Sequence, residues 1–400
     1  MLDIWPSLPL VIQIHHFYQI GRMDDIISVL ERRDRVCRIY LGIQSSDLET
    51  YLAAMQQPFP ELTHLNFRRN FPWIGDDETV VVPNSFLGGS APRLEFLQLN
   101  RIPFPELPKL LLSATHLVDL RLLDIPHSGY ISPNAMVTAL SSLTRLSSLI
   151  LEFQSPRSCP DQASRRPPPS TRSVLPILTW FQFKGVSEYL EDLVACIDAP
   201  LLNKLHITFF NDTAFDLPLF MQFIRRTPTS RALQKAHVKL SYGGADLDFS
   251  SQTSDDGRLN VKILCRGLEW QVSSLEQVCT SCLPPLSTED LYIYEGRGPP
   301  PDWKDDIENG LWLQLLHPFT AVKNLYLAEI VGLRIGPALQ ELAEGRTTEV
   351  LPTLQNIFLP LENVYEGIGK LVAARQVASR PIVVSSWANS DRDMHYYYDD

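Results

Sequence analysis

The chain has 400 residues, 44% of them apolar and 20% charged, with a formal charge of −11. This is the composition of a folded protein with ample core material, which excludes disorder along the whole chain. The negative charge argues against a nucleic-acid backbone as partner, six scattered cysteines argue against a disulfide scaffold, and no window approaches the roughly 18 uninterrupted apolar residues of a membrane span. The apolar run Leu8–Ile14 lacks a preceding basic region and ends at His15 and His16, so no signal peptide is expected. The thiols are then expected to be reduced, in the cytoplasm or nucleus.

In chain order, Trp5–Ile20 is apolar and mixed, and Asp24–Leu30 carries the spacing of a short amphipathic helix. Residues 1–34 are expected to cap an array of repeats, because a terminal repeat would otherwise leave one side of its core wet. Val36, Ile39 and Leu41 begin the array. Their spacing, apolar at the first, fourth and sixth places, recurs at Leu62-Leu65-Phe67, Leu94-Leu97-Leu99, Leu117-Leu120-Leu122, Leu146-Leu149-Leu151, Leu178-Phe181-Phe183 and Leu202-Leu205-Ile207. Looser copies are Leu233-Ala236-Val238, Val322-Leu325-Leu327 and Leu354-Ile357-Leu359. Within each copy the alternation has the period of a half-buried strand. Between copies, helical spacing predicts short returning helices: Asp47–Gln56 with Ser46 as N-cap, Pro105–Ser113, Pro133–Leu143, Glu188–Ile197, Leu217–Arg225, Leu275–Cys282, Lys304–Leu316 and Gly336–Leu342.

A unit copied about twelve times, roughly 29 residues apart, implies a repeat architecture. The expected fold is α/β: a right-handed leucine-rich-repeat solenoid over residues 35–385, with a curved parallel sheet on the concave face and short helices outside. Residues 154–173, rich in Pro, Arg and Ser, are expected to be a flexible insertion, and Gly243–Gly257 a polar loop. A turn is expected at Pro299–Pro301, with Trp303 packing over the next helix, and residues 386–400 form an acidic, tyrosine-rich tail.

Catalytic and metal chemistry finds little support. Cys279-x-x-Cys282 lacks the second pair a zinc site needs, so two buried thiols are expected. Gly367-Ile368-Gly369-Lys370 lacks both the spacing and the hydroxyl of a phosphate loop, and no Gly-x-Ser-x-Gly occurs. Asn211-Asp212-Thr213 matches the glycosylation sequon but is expected to be unmodified without a secretory signal. No cofactor, no metal and no enzymatic activity are expected.

Strand phase points instead to a surface. Residues between the inward apolar ones face the opposite side of the sheet. Candidate partner-binding residues there are Arg68, Phe96, Gln98, Arg121, Trp180, Lys184, Lys204, His206, Lys235, His237, Lys239, Lys262, Tyr292, Tyr294, Tyr326 and Phe358. Together with Arg38 this face carries eight cations against three carboxylates (Asp119, Glu152 and Asp290), although the whole chain is acidic. It suits an acidic or phosphorylated protein segment; the same lysines would also keep exposed strands soluble.

The L-x-x-L-x-L strands with Pro-Xaa-Leu openings, Phe59-Pro60-Glu61-Leu62, Ala91-Pro92-Arg93-Leu94, Ala199-Pro200-Leu201-Leu202 and Leu351-Pro352-Thr353-Leu354, resemble the leucine-rich region of fungal F-box proteins. Trp5-Pro6-Ser7-Leu8-Pro9-Leu10-Val11-Ile12 followed by Asp34-Arg35-Val36 is similar to the segment after an F-box in that family. The resemblance implies the substrate-binding half of a Skp/cullin-type ubiquitin-ligase receptor. No F-box is evident before Trp5, so a Skp-type adaptor is expected only where an F-box lies upstream; a stand-alone repeat scaffold is the alternative. A monomer is expected.

Overall fold

The structure, a computed structural model, describes residues 8–14, 23–69, 80–158, 171–210, 217–228, 233–251, 257–282, 287–296, 307–343, 349–360 and 366–387. Two compact units divide the chain, residues 1–203 and 204–400. Each is α/β, with a mostly parallel sheet and short helices.

The first unit sets seven strands side by side in chain order, every pair parallel. They are β1 (Leu10–Ile14), β2 (Val36–Ile43), β3 (His64–Arg69), β4 (Phe96–Asn100), β5 (Asp119–Ile125), β6 (Ser148–Phe153) and, after the two-residue β7 (Ser173–Val174), β8 (Trp180–Gly185). Helices α1 (Met23–Leu30), α2 (Ser45–Ala54), α3 (Leu107–Leu111), α4 (Pro133–Leu140) and α5 (Ser187–Cys196) return the chain, and β7 pairs with β9 (Ile197–Asp198). The Pro-Xaa-Leu openings have a geometric cause. In Ala91-Pro92-Arg93-Leu94 the Leu94 N–H donates to Ala91 O, a turn in which the fixed φ of proline suits the second place. The same bond closes Phe59 to Leu62, Ala199 to Leu202 and, in the second unit, Leu351 to Leu354. Each turn drops its leucine into the core and launches the next strand. Leu94, Leu97, Leu117, Leu120, Leu146, Leu149, Leu178 and Phe181 are all fully buried.

The second unit holds β10 (Lys204–Phe210), β11 (Lys235–Ser241), β12 (Gly244–Ser250), β13 (Arg258–Leu264), β14 (Asp290–Glu295), β15 (Asn324–Leu327), β16 (Asn356–Leu359) and β17 (Val383–Ser386). Helices α6 (Pro218–Arg226), α7 (Leu268–Gln277), α8 (Asn309–Leu316), α9 (Glu329–Ala343) and α10 (Glu366–Val377) alternate with them. The order across this sheet is β10-β13-β12-β11-β14-β15-β16-β17. β12 runs antiparallel to both neighbours, whereas the other pairs of the unit's sheet with a described register are parallel.

Several expectations are corrected. Residues 243–257 do not form a polar loop throughout: β12 occupies Gly244–Ser250, burying Ala245, Leu247 and Phe249 while Asp246 and Asp248 face outward. The strand reverses through Tyr242 and Gly243, with Ser241 opposite Gly244. Gly244 has a φ of 157°, and a Cβ there would meet Ile263 O at 2.2 Å, so only glycine fits. Leu10–Ile14 is a strand paired with β2, so the ladder begins ahead of Val36. Gln44 rather than Ser46 holds the N-cap place of α2, and the Ser46 hydroxyl donates to Asp47 instead. The helix placed at Leu275–Cys282 begins at Leu268 and ends in a wide turn over Val278–Cys282; that placed at Gly336–Leu342 begins at Glu329. α10 and β17 extend the pattern past Leu359. The Gly367–Lys370 string lies in α10, where a Cβ on Gly367 would sit 2.1 Å from Gly336 O. That glycine serves the close crossing of α9 and α10. His15-His16, Asn211–Thr213, Pro299–Trp303 and most of the 154–173 insertion lie outside the described residues.

Candidate recognition face

Alternation places helices against one side of each sheet and leaves the other side half-open. Along β13, for example, Leu259, Val261 and Ile263 are buried while Arg258, Asn260, Lys262 and Leu264 are only partly covered. The expected phase therefore holds, and all sixteen expected residues lie on the open side.

In the first unit the open side forms short polar networks. Parallel register sets Arg38, His64, Phe96, Asp119, Ser148 and Trp180 in one row. His64 stacks on Phe96 at 6.0 Å, and the Arg121 guanidinium lies over the same Phe96 ring, 5.4 Å from its centroid. Arg121 also forks onto Asp119, at 2.7 and 3.0 Å. Burial, with Arg38 nearby, pushes the His64 imidazole below its usual range. Gln98 is 5% exposed, so it belongs to the face by phase but is covered by its neighbours. Asp124 bridges Lys184 and Arg101, each at 3.2 Å. Gln182 donates to Glu152 at 2.7 Å, and burial raises the Glu152 carboxyl above the usual carboxylate range. Arg38 and Arg68 are exposed.

The second unit is more regular. The register sets His237, Tyr292, Tyr326 and Phe358 in one row across four adjacent strands. Their rings stack in a continuous column: His237 on Tyr292 at 4.4 Å and 5°, Tyr292 on Tyr326 at 4.1 Å and 9°, Tyr326 on Phe358 at 4.3 Å and 7°. The strand spacing of roughly 4.8 Å is what permits such stacking. Because the faces cover one another, the column presents ring edges outward. Tyr294 stands at 6.1 Å edge-on to His237. One row over, a side-chain amide ladder runs parallel to it: Asn356 donates to Asn324 at 2.7 Å and Asn324 to Asp290 at 2.6 Å. Trp387 lies against the middle of this column, its ring 5.5 Å from Tyr326 and 6.1 Å from Tyr292.

Beside the column sits a cluster of charge that strand phase alone did not reveal. Asp246 lies opposite Lys239 on one side and Lys262 on the other, and Asp248 is forked by Arg258. Lys262 reaches Asp246 at 3.9 Å. Burial pushes the Asp246 carboxyl up, partly offset by Lys262 and then Lys239. The expected excess of cations is here an alternation of signs. Of its cations, Lys204 is exposed and Lys235 half-buried; neither makes an ion pair among the described residues. Asp124, Asp246, Asp248, Arg258 and Trp387 were missing from the expected set. The first lies past the motif's end, Asp246 and Asp248 belong to the unrecognised strand β12, Arg258 opens β13 beside it, and the last depends on the path of the chain after β17.

Among the described residues no helix is long and apolar enough to cross a membrane. No family model matches the chain and no curated protein matches it, so the face stands on its own geometry.

Proposed function

We propose that this chain is a non-catalytic protein-recognition module whose open sheet face holds an extended acidic or phosphorylated segment of a protein substrate. The observation that carries this reading is the second unit's in-register column of His237, Tyr292, Tyr326 and Phe358, flanked by the Asp290-Asn324-Asn356 amide ladder and by Lys235 in register with Asp290. Side chains locked by mutual stacking lose little freedom when a partner arrives, and that pre-organisation is what a recognition surface needs. Ring edges, hydroxyls and ammonium groups all favour carboxylate or phosphate oxygens.

In this reading the two α/β units are parts of one right-handed leucine-rich-repeat solenoid of about twelve irregular repeats, acting in the cytoplasm or nucleus. The Pro-Xaa-Leu openings and the Trp5–Ile12 segment support a place as the substrate-binding part of an F-box type ubiquitin-ligase receptor lacking a recognisable F-box, with a Skp-type adaptor as second partner only where an F-box lies upstream. Tagged chain is expressed in its native cells as wild type and as Lys204→Glu/Lys239→Glu, and captured proteins are quantified. Loss of an acidic partner from the variant is expected, with a Skp adaptor co-purifying with both only where the native reading frame carries an F-box upstream. Partner capture that survives the charge reversal at low salt overturns the acidic-segment reading; absence of the adaptor leaves a stand-alone scaffold.

A further inference from the structure

Trp387 sits on the aromatic column without belonging to it. Tyr326, Phe358 and Ser385 share one row of the register, so the stack of rings stops at Phe358, where serine holds the next place. The Trp387 backbone N–H donates to Leu359 O, yet its ring reaches back to Tyr326 and Tyr292, on strands two and three places inward from β17. It meets them at 68° and 59°, whereas the rings of the column lie within 9° of one another. The indole therefore lies across the outward edges of the two tyrosines and does not extend the stack.

Two observations make this ring a removable occupant. The side chain is half-buried, unlike the core rings behind the sheet, and its indole N–H is buried with no acceptor among the described residues. A buried donor without an acceptor costs the docked pose part of what the ring contacts contribute, and turning the indole out into water relieves that cost. What the ring covers is also informative. Ring edges carry the positive end of the aromatic quadrupole, so they attract the face of another ring as well as an anionic oxygen. Trp387 realises the first of these contacts within the molecule.

We infer that Trp387 is a built-in occupant of a ring-binding place on the open face of the second unit, and that a partner binds there by laying its own aromatic side chain across the edges of Tyr292 and Tyr326. This rests on the proposed recognition face and narrows its ligand to an acidic segment that also carries a ring. The ring takes the place that Trp387 vacates, and the neighbouring carboxylates meet Lys235, which stands two residues from His237 on the same side of β11 and makes no ion pair among the described residues. Wild-type chain binds such a segment only in the fraction of molecules whose Trp387 is turned out, and the apparent affinity falls by that fraction. A face open about one-tenth to one-fifth of the time weakens its ligand about five- to tenfold.

The test uses the full chain as wild type, Trp387→Ala and Trp387→Phe, with urea unfolding to establish that each is folded. Fluorescein-labelled Glu-Glu-Trp-Glu-Glu and Glu-Glu-Ala-Glu-Glu are titrated against them at low salt. The tryptophan peptide is expected to bind Trp387→Ala about five- to tenfold more tightly than wild type, and to lose that gain when Tyr326→Leu is added, while the alanine peptide binds both chains alike. Trp387→Phe, which keeps a ring and lacks the unpaired N–H, is expected to raise the urea midpoint. Equal binding of the tryptophan peptide by wild type and Trp387→Ala, or an equal gain for both peptides, overturns the inference. So does a lowered midpoint for Trp387→Phe, since the indole would then be held through its N–H. If the tryptophan peptide shows no gain while both peptides bind wild type and are lost from Lys235→Glu, the inference falls and the recognition face stands. If neither peptide binds any of the chains, both fall.

Discussion

Replacing Tyr326 by leucine keeps an apolar side chain in the open face but removes the central ring of the aromatic column. Tyr326 stacks on Tyr292 at 4.1 Å and on Phe358 at 4.3 Å, both within 9° of parallel. An aromatic pair contributes about 0.5–1.5 kcal/mol beyond the area it buries. Tyr326→Leu therefore removes these two terms and the edge contact with Trp387, about 1.5–4.5 kcal/mol, whereas Phe358→Leu, at the column's end, removes one. The double variant should cost less than the sum of the singles by the value of their shared pair, about 0.5–1.5 kcal/mol. Urea unfolding of the full chain followed by far-ultraviolet circular dichroism measures all three, and Tyr326→Phe, which keeps the ring, should stay near wild type. A Tyr326→Leu loss no larger than that of Phe358→Leu, with no coupling in the double variant, would show that the rings are neighbours without energetic consequence.

Strand phase makes a sharper division between adjacent residues. Leu97→Ala should cost about 2–5 kcal/mol, since the side chain is fully buried, while Phe96→Ala, half-open and held by His64 and Arg121, should cost less than half as much in the same urea assay. Gly244→Ala should unfold the second unit at markedly lower urea because its Cβ would strike Ile263 O, whereas Gly243→Ala, with open space around it, should be tolerated within about 0.5 kcal/mol. Burial pushes the Cys265 thiol up to about 11, so iodoacetamide at pH 8 followed by mass spectrometry should modify half-buried Cys37 long before Cys265.

The core was legible in the sequence because its signal is redundant. Leu94, Leu97 and Leu99 specify a turn and two inward strand positions, and the same triplet recurs often enough that no single copy has to be read correctly. The hairpin was not legible by that rule. Asp246 and Asp248 made Gly243–Gly257 look like a solvated loop, although Ala245, Leu247 and Phe249 alternate with them in strand period and Gly243-Gly244 marks a reversal. Polar residues on the open side of a strand carry no penalty, so charge alone was a poor guide there. β1 was obscured for a different reason: at the sheet's edge only Ile12 of its five residues is buried, and alternation fades where one face of a strand has little to cover. Trp387 could not be placed from spacing at all, since its position follows from the direction the chain takes after its last strand.

The hairpin also changes what the face can bind, and Asp246 is where that can be measured. Its carboxylate lies between Lys239 and Lys262 in the register of three adjacent strands, so two cations that would otherwise meet a partner are engaged within the sheet. Asp246→Asn keeps shape and hydrogen-bonding capacity while releasing both, and octaglutamate should bind the variant several-fold more tightly at low salt, with a steeper loss as salt is added. Stability should respond to pH as well. Burial raises the Asp246 carboxyl in the folded chain above its value in the unfolded chain. The folded state therefore holds the proton more firmly, and the contribution of this group to stability declines as pH rises from the ordinary carboxylate range through the raised folded value. The variant should lack that decline, visible as a flatter dependence of the urea midpoint on pH. An Asp246→Asn chain with wild-type affinity for octaglutamate and a wild-type pH profile would mean that the carboxylate neither restrains the lysines nor bears a burial cost, and the alternation of signs across β11, β12 and β13 would have no part in recognition.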